Sequence, residues 1–171
     1  MPSTSFSFYA LPACFLHSGN LALVSEFSEA YTAYAEEGRC GTSTNWSLSN
    51  GTLTISGSGA VTAAGWTQYS DKITNIVVED GVTTITASAF KDHTSLKSVR
   101  LADSVTAVGA SAFSGCSSLE SVDLSDSMVN INATVFRLCV NLKQITLPKN
   151  LKLIKESAFY GCLKLESIEL P

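Results

Sequence analysis

A period of 23 residues constrains this chain more than any other feature. Phe90, Phe113, Phe136 and Phe159 recur at that interval, and so do Leu96, Leu119, Leu142 and Leu165. Val99, Val122, Ile145 and Ile168 keep the same step, as do Leu101, Leu124, Leu147 and Leu170, and Ile85, Val108, Ile131 and Ile154. Five apolar columns in register across four units do not arise by chance. The units run 82–104, 105–127, 128–150 and 151–171, after a half-unit, 73–81, that places Ile73, Ile76 and Val78 in three of the columns.

Within a unit, the L-x-x-V-x-L run alternates with period 2, the mark of a short strand with one buried face. The Ser-Ala-Phe segment is too short for a full helix and reads as a turn, or one helical turn, that drives Phe inward. A single unit cannot bury its apolar side alone, so the units must stack into a solenoid with a shared core. The Phe column then forms a continuous spine. Truncating one of these rings to Ala should cost about 3–5 kcal/mol.

The flank before the repeats carries its own signal. Trp46-Ser47-Leu48 and Leu53-Thr54-Ile55 bracket Asn50-Gly51, a strong two-residue hairpin pattern. This predicts a β-hairpin that covers the open edge of the first half-unit, with Trp66 and Tyr69 packed at the same end. No comparable cap is legible at the other end, where Pro171 falls on the expected strand of the fourth unit. The expectation is a piece of a longer protein, or an edge that meets a partner. Three regions follow: a leader, 1–35; a β cap module, 36–72; and the repeat solenoid, 73–171. In the leader, Ala33-Tyr34-Ala35 has the form of a signal-peptidase site. Ser18-Gly19-Asn20 and Glu26 interrupt its apolar stretch, and no Lys or Arg precedes Arg39. A cleaved signal and a disordered segment from a mis-assigned start both stay open.

The repeated pattern L-x-x-V-x-L-x-x-S-V-x-x-I-x-x-x-A-F-x-x-C resembles the BspA-like leucine-rich repeats of bacterial and protozoan surface proteins. The resemblance rests on Ala89-Phe90, Ala112-Phe113 and Ala158-Phe159 and on Cys116, Cys139 and Cys162. Unit three departs with Val135-Phe136, and the first has His93 in the Cys slot. The segment 40–61, with its Cys-Gly, Trp and Gly-x-Gly, is similar to the module that often precedes such repeats. The expected fold is therefore an α/β leucine-rich repeat solenoid of 23-residue units with an N-terminal β-hairpin cap. The resemblance implies a secreted or cell-surface location and attachment roles toward host matrix or other cells.

Net charge −4 and an acidic balance, 15 Asp and Glu against 11 Lys and Arg, argue against nucleic acid as a partner. No run of 18 apolar residues exists to cross a membrane as a helix. Two histidines and no CxxC leave a zinc site almost nothing to work with, and we expect no metal and no cofactor. His93 lacks a second His, a nucleophile or an oriented carboxylate to make it a catalytic base. Gly57-Ser58-Gly59 lacks the third glycine and helix of a dinucleotide loop and reads as a turn. The Cys column reads better as packed free thiols than as disulfides or a metal site, which leaves Cys40, outside the column, as the more reactive thiol. Asn45, Asn50 and Asn132 head N-x-S/T sequons that matter only in a secreted eukaryotic chain.

The surface left to carry function is the strand face. Its outward positions form one ladder of Glu79, Arg100, Asp123, Thr146 and Glu169, beside a second of Asn75, Ser98, Ser121, Gln144 and Ser167. Glu79, Arg100 and Asp123 alternate in sign, so cross-strand pairing is the structural reading. A polar docking surface is the functional one. The ligand-binding candidates are Glu79, Ser98, Arg100, Ser121, Asp123, Gln144, Thr146 and Glu169, with a protein as the partner. The expected function is a non-enzymatic binding scaffold. The alternative is a structural spacer or an accessory region of a larger modular surface protein.

Overall fold

Short strands and tight turns alternate through the computed structural model, which describes residues 36–62 and 64–171. The readings made of the leader, 1–35, lie outside the described residues. In chain order the strands are β1 (Glu36–Arg39), β2 (Thr44–Ser49), β3 (Thr52–Gly57), β4 (Gly59–Ala60), β5 (Asn75–Val78) and β6 (Val82–Ile85). They continue with β7 (Ser98–Leu101), β8 (Ala107–Val108), β9 (Ser121–Asp123), β10 (Asn130–Ile131), β11 (Gln144–Thr146) and β12 (Leu153–Ile154). Seven strands form one sheet in the order β1-β2-β3-β5-β7-β9-β11, and two smaller sheets, β4-β6-β8 and β10-β12, lie on another side of the coils.

The period dictates this topology. Each 23-residue turn of chain brings the next strand beside the last, parallel and in register, so Ile76 faces Val99, Val99 faces Val122 and Val122 faces Ile145. Identical spacing keeps every inward column inward, since a one-residue slip would flip the whole strand to the other face. The inward columns are buried from Ile73 through Leu142, with Leu53 and Ile55 of the cap continuing them.

The aromatic spine is present as expected. Phe90 and Phe113 stack at 5.2 Å between ring centroids, Phe113 and Phe136 at 5.7 Å, and Phe136 and Phe159 at 5.6 Å, with all the ring planes nearly parallel. Trp66 extends the column by stacking on Phe90 at 5.0 Å, while its indole N–H donates to the Ala89 carbonyl. Trp46 meets Trp66 edge-on and packs against Tyr69, so the end of the solenoid is closed by aromatic rings.

The helical contribution among the described residues is one 3-10 turn, Thr67–Tyr69. Elsewhere the Ser-Ala-Phe segments are turns, and backbone geometry explains why. Ser88, Ser111, Thr134 and Ser157 all take positive φ, between 54° and 58°, which breaks any helix at that point. The following N–H groups then bond to the neighbouring coil: Phe90 N–H donates to Ala112, Phe113 N–H to Val135 and Phe136 N–H to Ala158. A second ladder of hydrogen bonds therefore runs along the turns, parallel to the one in the sheet.

The hairpin forms at Asn50-Gly51, with φ of 50° and 76°, and joins β2 to β3 with Trp46 opposite Ile55 and Leu48 opposite Leu53. Positive φ at both turn residues matches the twist of the flanking strands. β3 then pairs parallel with β5, so the hairpin does cover the first edge, and β1 adds an outer antiparallel strand. Gly57 (φ 98°) also needs its missing side chain, because a Cβ there would lie 2.2 Å from the Ser43 carbonyl oxygen. In the Gly57-Ser58-Gly59 segment the chain bends at Ser58, between Gly57 at the end of β3 and Gly59 at the start of β4.

The fourth unit departs from expectation. Residues 165–171 form no strand, the sheet ends at β11, and Leu170 stands exposed rather than in its column. The short strands of the inner units are held by backbone bonds to neighbouring coils, as from Lys97 to Thr74, Glu120 to Lys97 and Lys143 to Glu120, whereas residues 166–171 make no such bond to the preceding coil.

Candidate functional site: the strand face

The outer face of β5, β7, β9 and β11 is where the fold collects exposed polar side chains. Arg100, Asp123 and Thr146 alternate with buried neighbours and stand in one register row. The second row, Asn75, Ser98, Ser121 and Gln144, is also in register. Within it the Ser98 hydroxyl donates to Asn75 Oδ1 at 2.7 Å, and the Asn75 amide donates to the Thr74 hydroxyl. Glu169 is exposed but belongs to no strand.

Glu79 is misplaced in the predicted ladder. Val77 lies opposite Arg100, and Glu79 follows two residues later, beyond the end of β5. The 23-residue step leads from Arg100 back to Val77, which is apolar, and not to Glu79. The expected Glu79–Arg100–Asp123 ion pairs are also absent among the described residues. The ion pairs that do form join coils elsewhere: Lys143 with Glu120 at 2.8 Å, and Lys149 with Asp126. These partners hold both carboxyls below the usual carboxylate range, chiefly through the hydrogen bond from each lysine.

A groove of about 920 Å³ runs along the C-terminal ends of the parallel strands. An aspartate column that sequence reasoning missed lines it: Asp80, Asp103 and Asp126, followed at the same spacing by Lys149. Asp103 Oδ1 accepts the Asp126 N–H at 3.3 Å and Asp126 Oδ1 accepts the Lys149 N–H at 3.1 Å, so each carboxylate ties its coil to the next. The spacing alone could have revealed them, since they repeat as strictly as the leucines.

The remaining candidates resolve into structure. Cys116, Cys139 and Cys162 are free thiols that donate to the carbonyls of Phe90, Phe113 and Phe136, at 3.1, 3.2 and 3.1 Å. Burial pushes the Cys116 thiol up to about 12 and Cys139 higher still, so neither is a nucleophile at neutral pH. Cys40 overturns its expectation. It is 1% exposed, packed in the core and raised by burial, which makes it inert rather than reactive. His93 is buried in the Cys column edge-on to Phe90; its Nδ1 lies 3.2 Å from the Lys91 carbonyl, and Nε2 has no hydrogen-bond partner. Asn132 spends its amide on the Val108 carbonyl, bridging the gap between β8 and β10. No group of three His, Cys, Asp or Glu side chains among the described residues is placed to hold a metal. No described helix is long and apolar enough to cross a membrane.

Stacked coils around an aromatic spine, with an open polar sheet face, define a repeat scaffold. Residues 67–171 match the family model described as BspA type leucine rich repeat region, in six copies, and the chain belongs to this family. Among solved structures it is similar to a leucine-rich repeat protein from Eubacterium ventriosum, with 24% identity and a TM-score of 0.64 over 80% of this chain and 44% of that one. A leucine rich cell surface protein from Faecalibacterium prausnitzii shares 27% identity at a TM-score of 0.54, over 74% of this chain and 31% of that one. A leucine rich repeat protein of T. pallidum shares 24% identity at a TM-score of 0.50, over 78% of this chain and 72% of that one. The chain thus spans less than half the length of the first two. No curated protein matches it.

Proposed function

We propose that this chain is a non-enzymatic protein-binding module, secreted or displayed at a cell surface, that docks an adhesion partner on the strand face. The observation that carries the reading is the register row of Arg100, Asp123 and Thr146 on a face that no other element of the described chain covers. Rigid coils hold these side chains at the spacing of about 4.8 Å set by strand pairing, so a partner meets a preformed surface. The naming of the Faecalibacterium prausnitzii neighbour as a cell surface protein supports the location.

The test is binding of the full chain to a panel of matrix and cell-surface proteins, with an Arg100→Glu, Asp123→Lys variant as control. Both side chains are exposed, so the variant should keep the wild-type circular dichroism spectrum. Saturable binding that the variant loses is the expected result. Binding that survives it moves the site off the strand face. A folded chain that binds no panel member favours the spacer reading.

A further inference from the structure

The strand-face groove holds most of the molecule's excess charge. Five carboxylates line it, Glu79, Asp80, Asp103, Asp123 and Asp126, against the two cations Arg100 and Lys149. That is a surplus of three negative charges out of the chain's four; the rest of the sequence carries ten acidic and nine basic residues and is close to neutral. Lys149 and Asp126 are paired with each other, so the surplus of three rests on Glu79, Asp80, Asp103 and Asp123 against Arg100.

The carboxylates are also held in place. Asp80, Asp103 and Asp126 recur once per coil, and the backbone bonds of Asp103 and Asp126 fix them along the stacking axis. Spread over successive coils and not converging on a point, they suit a line of charge better than a single ion. Arg100, Asp123 and Thr146 separate this column from the uncharged row of Asn75, Ser98, Ser121 and Gln144, which lines an adjoining hollow where Ser121 and Gln144 offer hydrogen-bonding groups.

We infer that the groove takes an extended, lysine- or arginine-rich segment of a partner protein, laid across the strands with its cations toward Glu79, Asp80, Asp103 and Asp123. The inference rests on the strand-face reading above and names its partner class. The unbalanced carboxylates along the groove set up a field that attracts such a segment.

The experiment measures fluorescence anisotropy of a labelled Lys-Ser repeat peptide, and of its Glu-Ser counterpart, with the full chain at low and raised salt. The Lys-Ser peptide should bind and weaken with salt, and the Glu-Ser peptide should not bind. A Glu79→Gln, Asp80→Asn, Asp123→Asn variant should weaken binding about tenfold. It spares the two aspartates that brace the backbone. A Glu37→Gln, Asp71→Asn, Glu166→Gln variant changes net charge equally outside the groove and should have little effect. Arg100→Gln should tighten binding. Equal weakening by both triple variants, or equal binding of the two peptides, would overturn the inference, because either result reports a diffuse field and not a groove. If the Lys-Ser peptide fails to bind while a panel protein is lost on Arg100→Glu, Asp123→Lys, the inference falls and the strand-face reading stands.

Discussion

Truncating the middle of the aromatic spine should destabilise the molecule far more than truncating its end. Phe113 is fully buried and stacked on both sides, 5.2 Å from Phe90 and 5.7 Å from Phe136. A buried Phe→Ala change costs about 3–5 kcal/mol through lost transfer energy and the cavity left behind. Each aromatic pair contributes about 0.5–1.5 kcal/mol beyond area burial, which places Phe113→Ala at the upper end of that range. Phe159 has one ring neighbour, Phe136, and is only partly buried, so its truncation leaves a shallower defect that water can fill. Its loss should cost about half as much or less on the same scale. Urea titrations followed by circular dichroism and Trp fluorescence measure both. The slope of free energy against urea must be compared between variants, since a broken spine can split the array into separately melting parts. Equal costs for the two variants, or a Phe113→Ala cost below about 1.5 kcal/mol, would refute the stacked-spine account.

Other consequences follow from single positions. His93 is buried with an unpartnered Nε2, and burial lowers its pKa from 6.5. Its neutral form is thus favoured in the fold, and stability present above pH 6.5 should be lost as pH falls from there through the lower folded pKa. His93→Cys, which restores the column residue, should remove that component of an acid titration; an unchanged pH profile would count against it. Leu138 sits at φ 61°, where the neighbouring coils have Gly115 and Gly161. Relief of about 1–2 kcal/mol of left-handed strain is offset by about 0.4–1 kcal/mol of unfolded-chain entropy and about 1–2 kcal/mol of lost burial of a side chain that is 38% exposed, so Leu138→Gly should not raise the urea midpoint. In a Cys14→Ser background, native-state alkylation read by mass spectrometry should modify half-buried Cys162 before Cys40, Cys116 or Cys139. Prior reaction at Cys40 would contradict its placement in the core.

The solenoid is legible in the sequence because its physics is periodic. Each column must be apolar at the same step, so Phe90 to Phe159 and Leu96 to Leu142 announce both the strand spacing and the spine. Asn50-Gly51 is equally readable, because few dipeptides tolerate positive φ twice. What stays hidden depends on departures from the period. Glu79 looks like a ladder member by charge, yet Val77 holds that place. Cys40 stands outside the repeat and so reads as reactive, while the cap folds over it and buries it. The turn conformation of Ser88, Ser111, Thr134 and Ser157 is a backbone property shared by different side chains, and composition does not display it. The aspartate column was readable in principle. It escapes notice because carboxylates after a strand look like ordinary turn residues until their N–H partners in the next coil are seen.

The central claim is that the stacked coils present their strand face to a protein partner, and thiol protection tests it most directly. Thr146→Cys puts an exposed thiol on that face, and Lys91→Cys puts one on the turn side. Labelling rates of each variant are measured free and saturated with the partner that the binding panel yields. The account predicts that the partner slows labelling at position 146 and leaves position 91 unchanged. Protection at position 91 with free access at 146 would contradict it.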